Sequence, residues 1–242
     1  SIARSRDAAA DLTPGPFPGK EGERNPRCRI RLALAVYSRV MAKLIEGLSR
    51  IAGDLLFPAQ CALCGAGGVL LCDACADALP RADGERCDRC WTPVSGDTLC
   101  SHCLAVPTAF SSIRAAFVME DGARRLAHEL KYEGLTSLAA PMAALMAPML
   151  AAVQSEVLIP VPLYGSRERA RGYNQSAELA GQLARTAGVA CDRRALRRTR
   201  NTEPLAKTMH RDERRAIVVG AFAARRERVE GRRLLLVDDV VT

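Results

Sequence analysis

The sequence predicts an α/β protein in which helices cover a parallel sheet, with a small cysteine-rich module before it. From Ser112 onward, short apolar runs alternate with helical stretches of about 10 to 15 residues, the pattern of a parallel sheet with helices on both faces. Before that point, eight of the ten cysteines lie between Cys61 and Cys103, which marks a separate module. The last apolar run of the chain ends in two aspartates, at the position where open α/β sheets bind ligands.

The predicted elements of the α/β region come in the order strand, helix, helix, strand, helix, strand. Each predicted helix has apolar residues at helical spacing, and each predicted strand is a short apolar run. Their ranges are 113–119, 121–134, 135–153, 156–163, about 175–186, and 232–241. An arginine-rich segment and the short run GAFAA lie between the last helix and the last strand.

Length and composition indicate a globular protein of one or two domains. The chain has 242 residues, of which 48% are hydrophobic and 26% are charged. The longest apolar stretch, 138–153, contains Pro141 and Pro148 and is too short to cross a bilayer. We therefore predict no membrane span, and because no secretory signal is visible we expect a cytoplasmic protein.

The two ends of the chain are unusual. Residues 1–40 include the stretch TPGPFPGKEGERNP and are expected to be a poorly ordered leader or a mis-annotated extension, with Met41 as the true start. Apolar residues then recur at helical spacing, which predicts an amphipathic helix over 41–57. Because the chain begins at Ser1 and stops at Thr242 directly after a strand, we expect a fragment or an inaccurate gene model.

Four CxxC units predict two structural zinc sites. A CxxC turn directs two thiolates at one tetrahedral centre, and two such turns complete a shell of four sulfurs that leaves no position open for water. A disulfide framework is the alternative, but it fits neither the spacing nor the absence of a secretory signal. Sequential sharing of the turns is favoured over interleaved sharing. The eight predicted ligands are Cys61, Cys64, Cys72, Cys75, Cys87, Cys90, Cys100 and Cys103.

Asp238 and Asp239 are the candidate ligand-binding residues at the end of the apolar run 234–237. Two adjacent carboxylates beside a sheet need hydroxyl donors or a cation, because leaving both ionised and unpartnered is costly. The alternative is a solvated acidic turn.

The positive charge is local. Residues 164–233 contain 18 Lys or Arg against 8 Asp or Glu, whereas the whole chain has a net charge of +8. Such a face can bind a nucleic-acid backbone, with Tyr173 or Phe222 as a stacking surface, although charge runs are also common on solvated faces. Within it, Arg167, Arg169 and Arg171 are predicted to lie in a loop and to converge on a phosphate.

These motifs together resemble the ComF family of phosphoribosyltransferase-like proteins. The resembling segments run from Leu55 to Thr242 and comprise FPAQCALCG, the later CxxC pairs, HELKYEG, LIPVPLYGSRERARGYNQSAELA, RRTRNTEP, GAF and LLLVDDVVT. The resemblance implies a double zinc ribbon over 58–108. It also implies a type I phosphoribosyltransferase-like domain over 109–242 that is truncated at its C-terminus.

The resemblance also implies a ligand, phosphoribosyl pyrophosphate (PRPP) with magnesium. Asp238 and Asp239 would hold the ribose hydroxyls and, through water, the magnesium, while Thr242 would open the loop around the 5′-phosphate. The residues implied to bind the phosphate or another anion are Arg167, Arg169, Arg171, Gly172 and Asn174.

Two functions are consistent with this resemblance. The favoured one is a PRPP-binding protein of DNA uptake and natural competence, which binds single-stranded DNA through its basic face and works with the uptake machinery. The alternative is a magnesium-dependent phosphoribosyltransferase that transfers ribose 5-phosphate to an unidentified acceptor. A transferase needs a hood that recognises this acceptor, and Glu203 and Ile217 depart from the Gln and Asn of the family there.

Overall fold

The structure is a computed structural model that describes residues 58–151, 153–202 and 211–241. The predicted leader (1–40), the predicted amphipathic helix (41–57) and Thr242 lie outside the described residues. The helices are α1 (Asp73–Asp77), α2 (Ser101–Ala105), α3 (Asp121–Tyr132), α4 (Ala139–Ala151), α5 (Gly165–Arg171), α6 (Gln175–Ala187), α7 (Arg211–Val218) and α8 (Arg226–Val229). The strands are β1 (Val157–Pro160), β2 (Ala190–Cys191), β3 (Leu196–Arg198), β4 (Phe222–Ala224) and β5 (Leu234–Val237).

The cysteine-rich region is built from the same backbone unit used twice. In each unit a CxxC turn is closed by a hydrogen bond to the carbonyl of its first cysteine, from Gly65 N at 2.8 Å and from Trp91 N at 2.9 Å. The residue after each turn has a left-handed backbone, with φ of 79° at Gly65 and 66° at Trp91. The third cysteine then occupies the N-cap position of a short helix, α1 or α2. The repeated unit explains why both cysteine sets consist of two CxxC pairs, although the pairs are separated by eight residues in the first set (Cys64 to Cys72) and by ten in the second (Cys90 to Cys100).

The segment 113–119 is a correction to the predicted strand order. It forms no strand of the sheet but an isolated bridge between Arg81 and Phe117. Its backbone bonds go to the cysteine-rich region instead, with Ala82 N donating to Ala116 O and Val118 N donating to Pro80 O. The apolar run is therefore satisfied by a neighbour close to it in the chain.

A three-stranded parallel sheet with the order β2-β1-β5 confirms the predicted α/β class. The register pairs Val157 with Leu234 and Pro160 with Val237, so β1 and β5 end at the same edge. Leu158 in the central strand is fully buried, and α6 packs against it through Leu179. Burying side chains of this size stabilises the fold by about 1.5 to 3 kcal/mol each.

Helix α4 packs on α6 through small residues. Ala139 and Ala143 are fully buried and lie in one apolar cluster with Ala180 of α6. The predicted long helix 135–153 is divided, since a 3-10 turn at Thr136–Leu138 precedes α4. No helix in the described part of the chain combines the length and apolar character that a bilayer crossing requires.

Two further features differ from the expectation. Strands β3 and β4 form a separate two-stranded antiparallel sheet, in which Arg198 pairs with Phe222. The segment that was expected to be a loop with converging arginines is helix α5, which ends where Gly172 takes a left-handed backbone with φ of 86°. Only glycine adopts this conformation without strain, which explains the helix end.

Candidate ligand site and zinc ribbon

The eight cysteines form two separate clusters, which confirms sequential sharing. The sulfurs of one cluster lie within 4.8 Å of one another, as do those of the other. Cys64 Sγ is 3.7 Å from Cys72 Sγ in the first cluster, and Cys90 Sγ is 3.6 Å from Cys100 Sγ in the second. Four sulfurs at such distances fit the tetrahedral shell of a structural zinc ion. The clusters are Cys61, Cys64, Cys72 and Cys75, and Cys87, Cys90, Cys100 and Cys103.

The thiols of each cluster differ in their affinity for protons. Backbone hydrogen bonds lower the pKa of Cys61 to about 6. Burial opposes ionisation of Cys87, but backbone hydrogen bonds outweigh it and lower its pKa to about 6. Hydrogen bonds that its protonated thiol donates to neighbouring cysteine sulfurs raise the pKa of Cys75 to about 12, and burial with the same kind of bonds raises that of Cys103 to about 12. Four thiolates in one cluster would repel one another, and a divalent cation would relieve this repulsion. Metal binding therefore deprotonates the thiols and releases protons.

The two aspartates after β5 lie in a polar cluster at the carboxyl edge of the parallel sheet. Asp238 Oδ1 accepts hydrogen bonds from Ser176 Oγ at 2.6 Å and from Asp239 N at 2.9 Å. Gln175 Nε2 donates to Asp239 Oδ1 at 3.3 Å. Lys131 Nζ of α3 lies 2.5 Å from Asp239 Oδ2, whose side chain is only 2% exposed. The alternative of a solvated acidic turn is therefore wrong.

Asp238 is held in an environment that resists its ionisation. Burial, followed by the charge of Asp239, raises the pKa of Asp238 to about 7, although the Ser176 hydroxyl stabilises the ionised form. One carboxyl of the pair therefore titrates near neutral pH. Hydroxyl donors or a cation from a ligand would stabilise the ionised form of Asp238. The site therefore suits a ligand that carries a diol or a bound metal ion.

The three arginines of α5 do not converge. Arg167 and Arg171 are one helical turn apart and half-buried, whereas Arg169 is exposed on the other side. Arg167 donates to the carbonyl of Thr202, and Arg171 donates to Gln175 Oε1. The predicted convergence of all three on one anion is therefore wrong, because alternate residues of a helix point in different directions.

Asn174 has a structural role. Its side chain is 6% exposed, accepts a hydrogen bond from Ser176 N at 3.0 Å and donates one to Val161 O at 3.0 Å. It caps α6 and ties this helix to the end of β1. These contacts use both polar groups of the side chain that the resemblance assigned to an anion. Gly172 is the left-handed end of α5, and Thr242 lies outside the described residues.

A second group of arginines lies beside the acidic pair. Arg198 of β3 donates to Thr202 Oγ1, and Arg167 donates to the carbonyl of the same residue. Burial and the neighbouring charge of Arg167 lower the pKa of Arg198, and the charge of Asp238 opposes them. Within the described residues, Arg198 Nε is buried without a hydrogen-bond partner. The guanidinium groups of α5 and β3 thus meet at Thr202, close to Asp238.

Elsewhere on the basic face several arginines are paired with carboxylates. Arg226 contacts Glu230 at 2.6 Å, Arg228 contacts Asp192 at 2.8 Å, and Arg193 contacts Glu178 at 3.5 Å. The arginines of α5 and of 197–200 form no ion pair with any described carboxylate. We call these six residues the basic strip: Arg167, Arg169, Arg171, Arg197, Arg198 and Arg200.

Comparison with known proteins identifies the family. A model of the double zinc ribbon domain matches residues 52–104. The DNA utilization protein YhgH of Salmonella typhimurium is 30% identical over 200 residues, which cover 78% of this chain and 87% of that protein. Competence protein F of Haemophilus influenzae is 36% identical over 89 residues, 36% of this chain and 38% of that protein. The chain belongs to the ComF family.

The protein of the same name from Escherichia coli O157:H7 matches this ComF-family chain to the same extent, with 30% identity over 200 residues, 78% of this chain and 87% of that protein. The match to the domain model and the two cysteine clusters agree, so this ComF-family protein has a double zinc ribbon with two zinc-binding clusters. The predicted boundaries, 58–108 and 109–242, stay predictions.

Sequence reasoning missed four residues of the site in this ComF-family protein. Gln175 and Ser176 directly follow Asn174, at the start of α6, and both reach the acidic pair. Lys131 belongs to the motif HELKYEG, and Arg198 belongs to RRTRNTEP. Both motifs contribute to the family resemblance, but only the fold shows that Lys131 contacts Asp239 and that Arg198 lies within reach of the charge of Asp238.

Proposed function

We propose that this ComF-family protein binds PRPP with magnesium and holds single-stranded DNA during DNA uptake. The observation that carries the proposal is the buried acidic pair, Asp238 and Asp239, with the basic strip beside it. PRPP combines a vicinal diol with phosphates and a bound metal ion. Carboxylates accept hydrogen bonds from hydroxyls and attract the metal, and guanidinium groups bind phosphate oxygens.

The residues present fit such a ligand. The pKa of Asp238 is about 7 because the hydrogen bond from Ser176 does not offset burial and the charge of Asp239. Asp239 already attracts one cation, Lys131. The ribose hydroxyls would donate to these carboxylates, and magnesium would add positive charge beside them. Arg167 and Arg198 would face the phosphates. In this proposal the sheet and its helices form a phosphoribosyltransferase-type fold.

The DNA role is supported by the names of the relatives and by the charge of the strip. The relatives are called DNA utilization protein and competence protein F. The four arginines of the strip that are not assigned to PRPP have no carboxylate partner among the described residues, and each can neutralise a DNA phosphate, which provides affinity that falls with salt. They are Arg169, Arg171, Arg197 and Arg200. We propose a cytoplasmic role in which the protein receives the incoming strand from the uptake machinery.

Thermal unfolding with PRPP tests the ligand. PRPP with magnesium should raise the melting temperature, because a ligand that binds only the folded state stabilises it. Asp239→Asn should abolish the increase, since it removes one of the two carboxylates. Asp192→Asn is the matched control, because Asp192 pairs with Arg228 outside the site, and it should keep the increase. An equal increase in all three proteins would refute the assigned site.

Salt dependence tests the DNA role. Binding of a single-stranded oligonucleotide, followed by fluorescence anisotropy, should weaken steeply with salt and with the charge reversals Arg197→Glu and Arg200→Glu. Arg226→Glu is the matched control, because Arg226 is exposed but paired with Glu230. Binding that is insensitive to salt, or that is weakened as much by the control, would contradict binding at the basic strip.

A further inference from the structure

Tyr132 is an exposed aromatic ring at the rim of the acidic site. It is the last residue of α3, and 62% of its surface is accessible. The residue before it, Lys131, contacts Asp239. The guanidinium carbon of Arg171 lies 5.3 Å from the centre of the Tyr132 ring, and the His128 ring lies 5.0 Å away at an angle of 49°. The ring is thus supported by two neighbours while most of its surface faces solvent.

The two aromatic residues expected to stack on bases are less available. Tyr173 donates a hydrogen bond to Leu130 O at 2.5 Å, and burial raises its pKa. Phe222 is half-buried, and the guanidinium carbon of Arg198 lies 5.2 Å from the centre of its ring. Tyr132 is therefore the better stacking surface in this part of the molecule.

We propose that Tyr132 stacks against a base of single-stranded DNA while Arg171 and the other arginines of the basic strip that are not assigned to PRPP bind the adjacent phosphates. The proposal rests on the proposed DNA-binding function and assigns the base contact within it. Arg171 connects the two parts, because it contacts the ring and belongs to α5, which also carries Arg167 and Arg169.

The charge around the ring favours a nucleic-acid strand as the partner. The Tyr132 ring, with a cation beside it, provides a π face on which any base can stack. The neighbouring arginines can bind the phosphates of successive nucleotides. Because every base has a π face, this contact would not depend on sequence, which is the requirement for a protein that handles arbitrary incoming DNA.

Oligonucleotides with and without bases test the proposal. Binding of oligo(dT) and of an abasic strand of the same length would be measured by fluorescence anisotropy with the parent, Tyr132→Ala and Tyr132→Phe. Phe110→Ala serves as a matched control, because Phe110 is another exposed aromatic residue, with 42% of its surface accessible. Because both rings are exposed, their replacement should not disturb the fold. Zinc content and thermal unfolding would confirm that each variant is folded.

Tyr132→Ala should weaken oligo(dT) binding about 5-fold to 100-fold, and its binding of the abasic strand should equal that of the parent. Tyr132→Phe and Phe110→Ala should bind oligo(dT) like the parent. Parent-like oligo(dT) binding by Tyr132→Ala, or an equal loss with the abasic strand, would overturn the stacking role alone. If the parent binds neither strand at low salt, the proposed DNA-binding function falls as well.

Discussion

Replacing Asp238 by asparagine should stabilise the ligand-free protein at neutral pH and above. Burial and the charge of Asp239 raise the pKa of Asp238 from 3.8 to about 7, so ionisation of this carboxyl opposes folding. A displacement of about three pKa units corresponds to about 4 kcal/mol. Asparagine carries no charge, and its Oδ1 can still accept from Ser176 Oγ and Asp239 N. The variant should therefore recover up to about 4 kcal/mol at pH 8.

The sign of this effect gives it a pH signature. Because the pKa is raised in the folded state, the cost is fully present above pH 7, falls by about 1.4 kcal/mol per unit as the pH decreases, and vanishes below about 3.8. Urea unfolding of the zinc-loaded parent and variant between about pH 5.5 and 8.5 would measure this difference in the free energy of unfolding. Over this range the cost of ionising Asp238 changes while the cysteine clusters retain zinc.

Asp192→Asn is the matched control and should have the opposite sign. Burial disfavours the ionised form of Asp192, but the hydrogen bond and charge of Arg228, together with backbone hydrogen bonds from Arg194 and Ala195, outweigh burial and lower the pKa. Neutralising Asp192 should therefore destabilise the protein throughout the range. If Asp238→Asn were as destabilising as the control, or if its effect did not change with pH, the assigned environment of Asp238 would be refuted.

Two further predictions concern the zinc ribbon and the start of α6. Cys64→Ser should lower the zinc content from about two ions per chain to about one by metal analysis, because it opens only one of the two cysteine clusters. A full loss or no loss would contradict independent sites. Asn174→Ala should lower the free energy of unfolding by about 2 to 3 kcal/mol in urea, because it removes a helix cap and leaves Val161 O without its donor. An unchanged stability would exclude the capping role.

The sequence predicted those features that depend on residues close together in the chain. Both zinc clusters were correctly assembled, since each CxxC turn fixes two ligands locally and only the pairing of turns was open. The acidic pair was also found, because the apolar run before Asp238 identifies the end of a strand. Neither result needed knowledge of the tertiary fold.

The features that were missed depend on distant contacts or on local competition. Lys131 reaches Asp239 only because α3 and β5 come together in the folded protein. Segment 113–119 has the composition of a strand, yet its backbone pairs with 80–82. The arginine-rich segment predicts a loop where α5 forms, although Gly172 is a helix-end signal.

A crystal structure of the protein with PRPP and magnesium would test the central claim most directly. The ribose hydroxyls should lie within hydrogen-bond distance of the Asp238 and Asp239 carboxylates, and Lys131 should have moved away from its 2.5 Å contact with Asp239 or should contact the ligand as well. The phosphates should face the arginines that meet at Thr202. PRPP bound elsewhere, or an unliganded acidic pair at saturating PRPP, would contradict the claim.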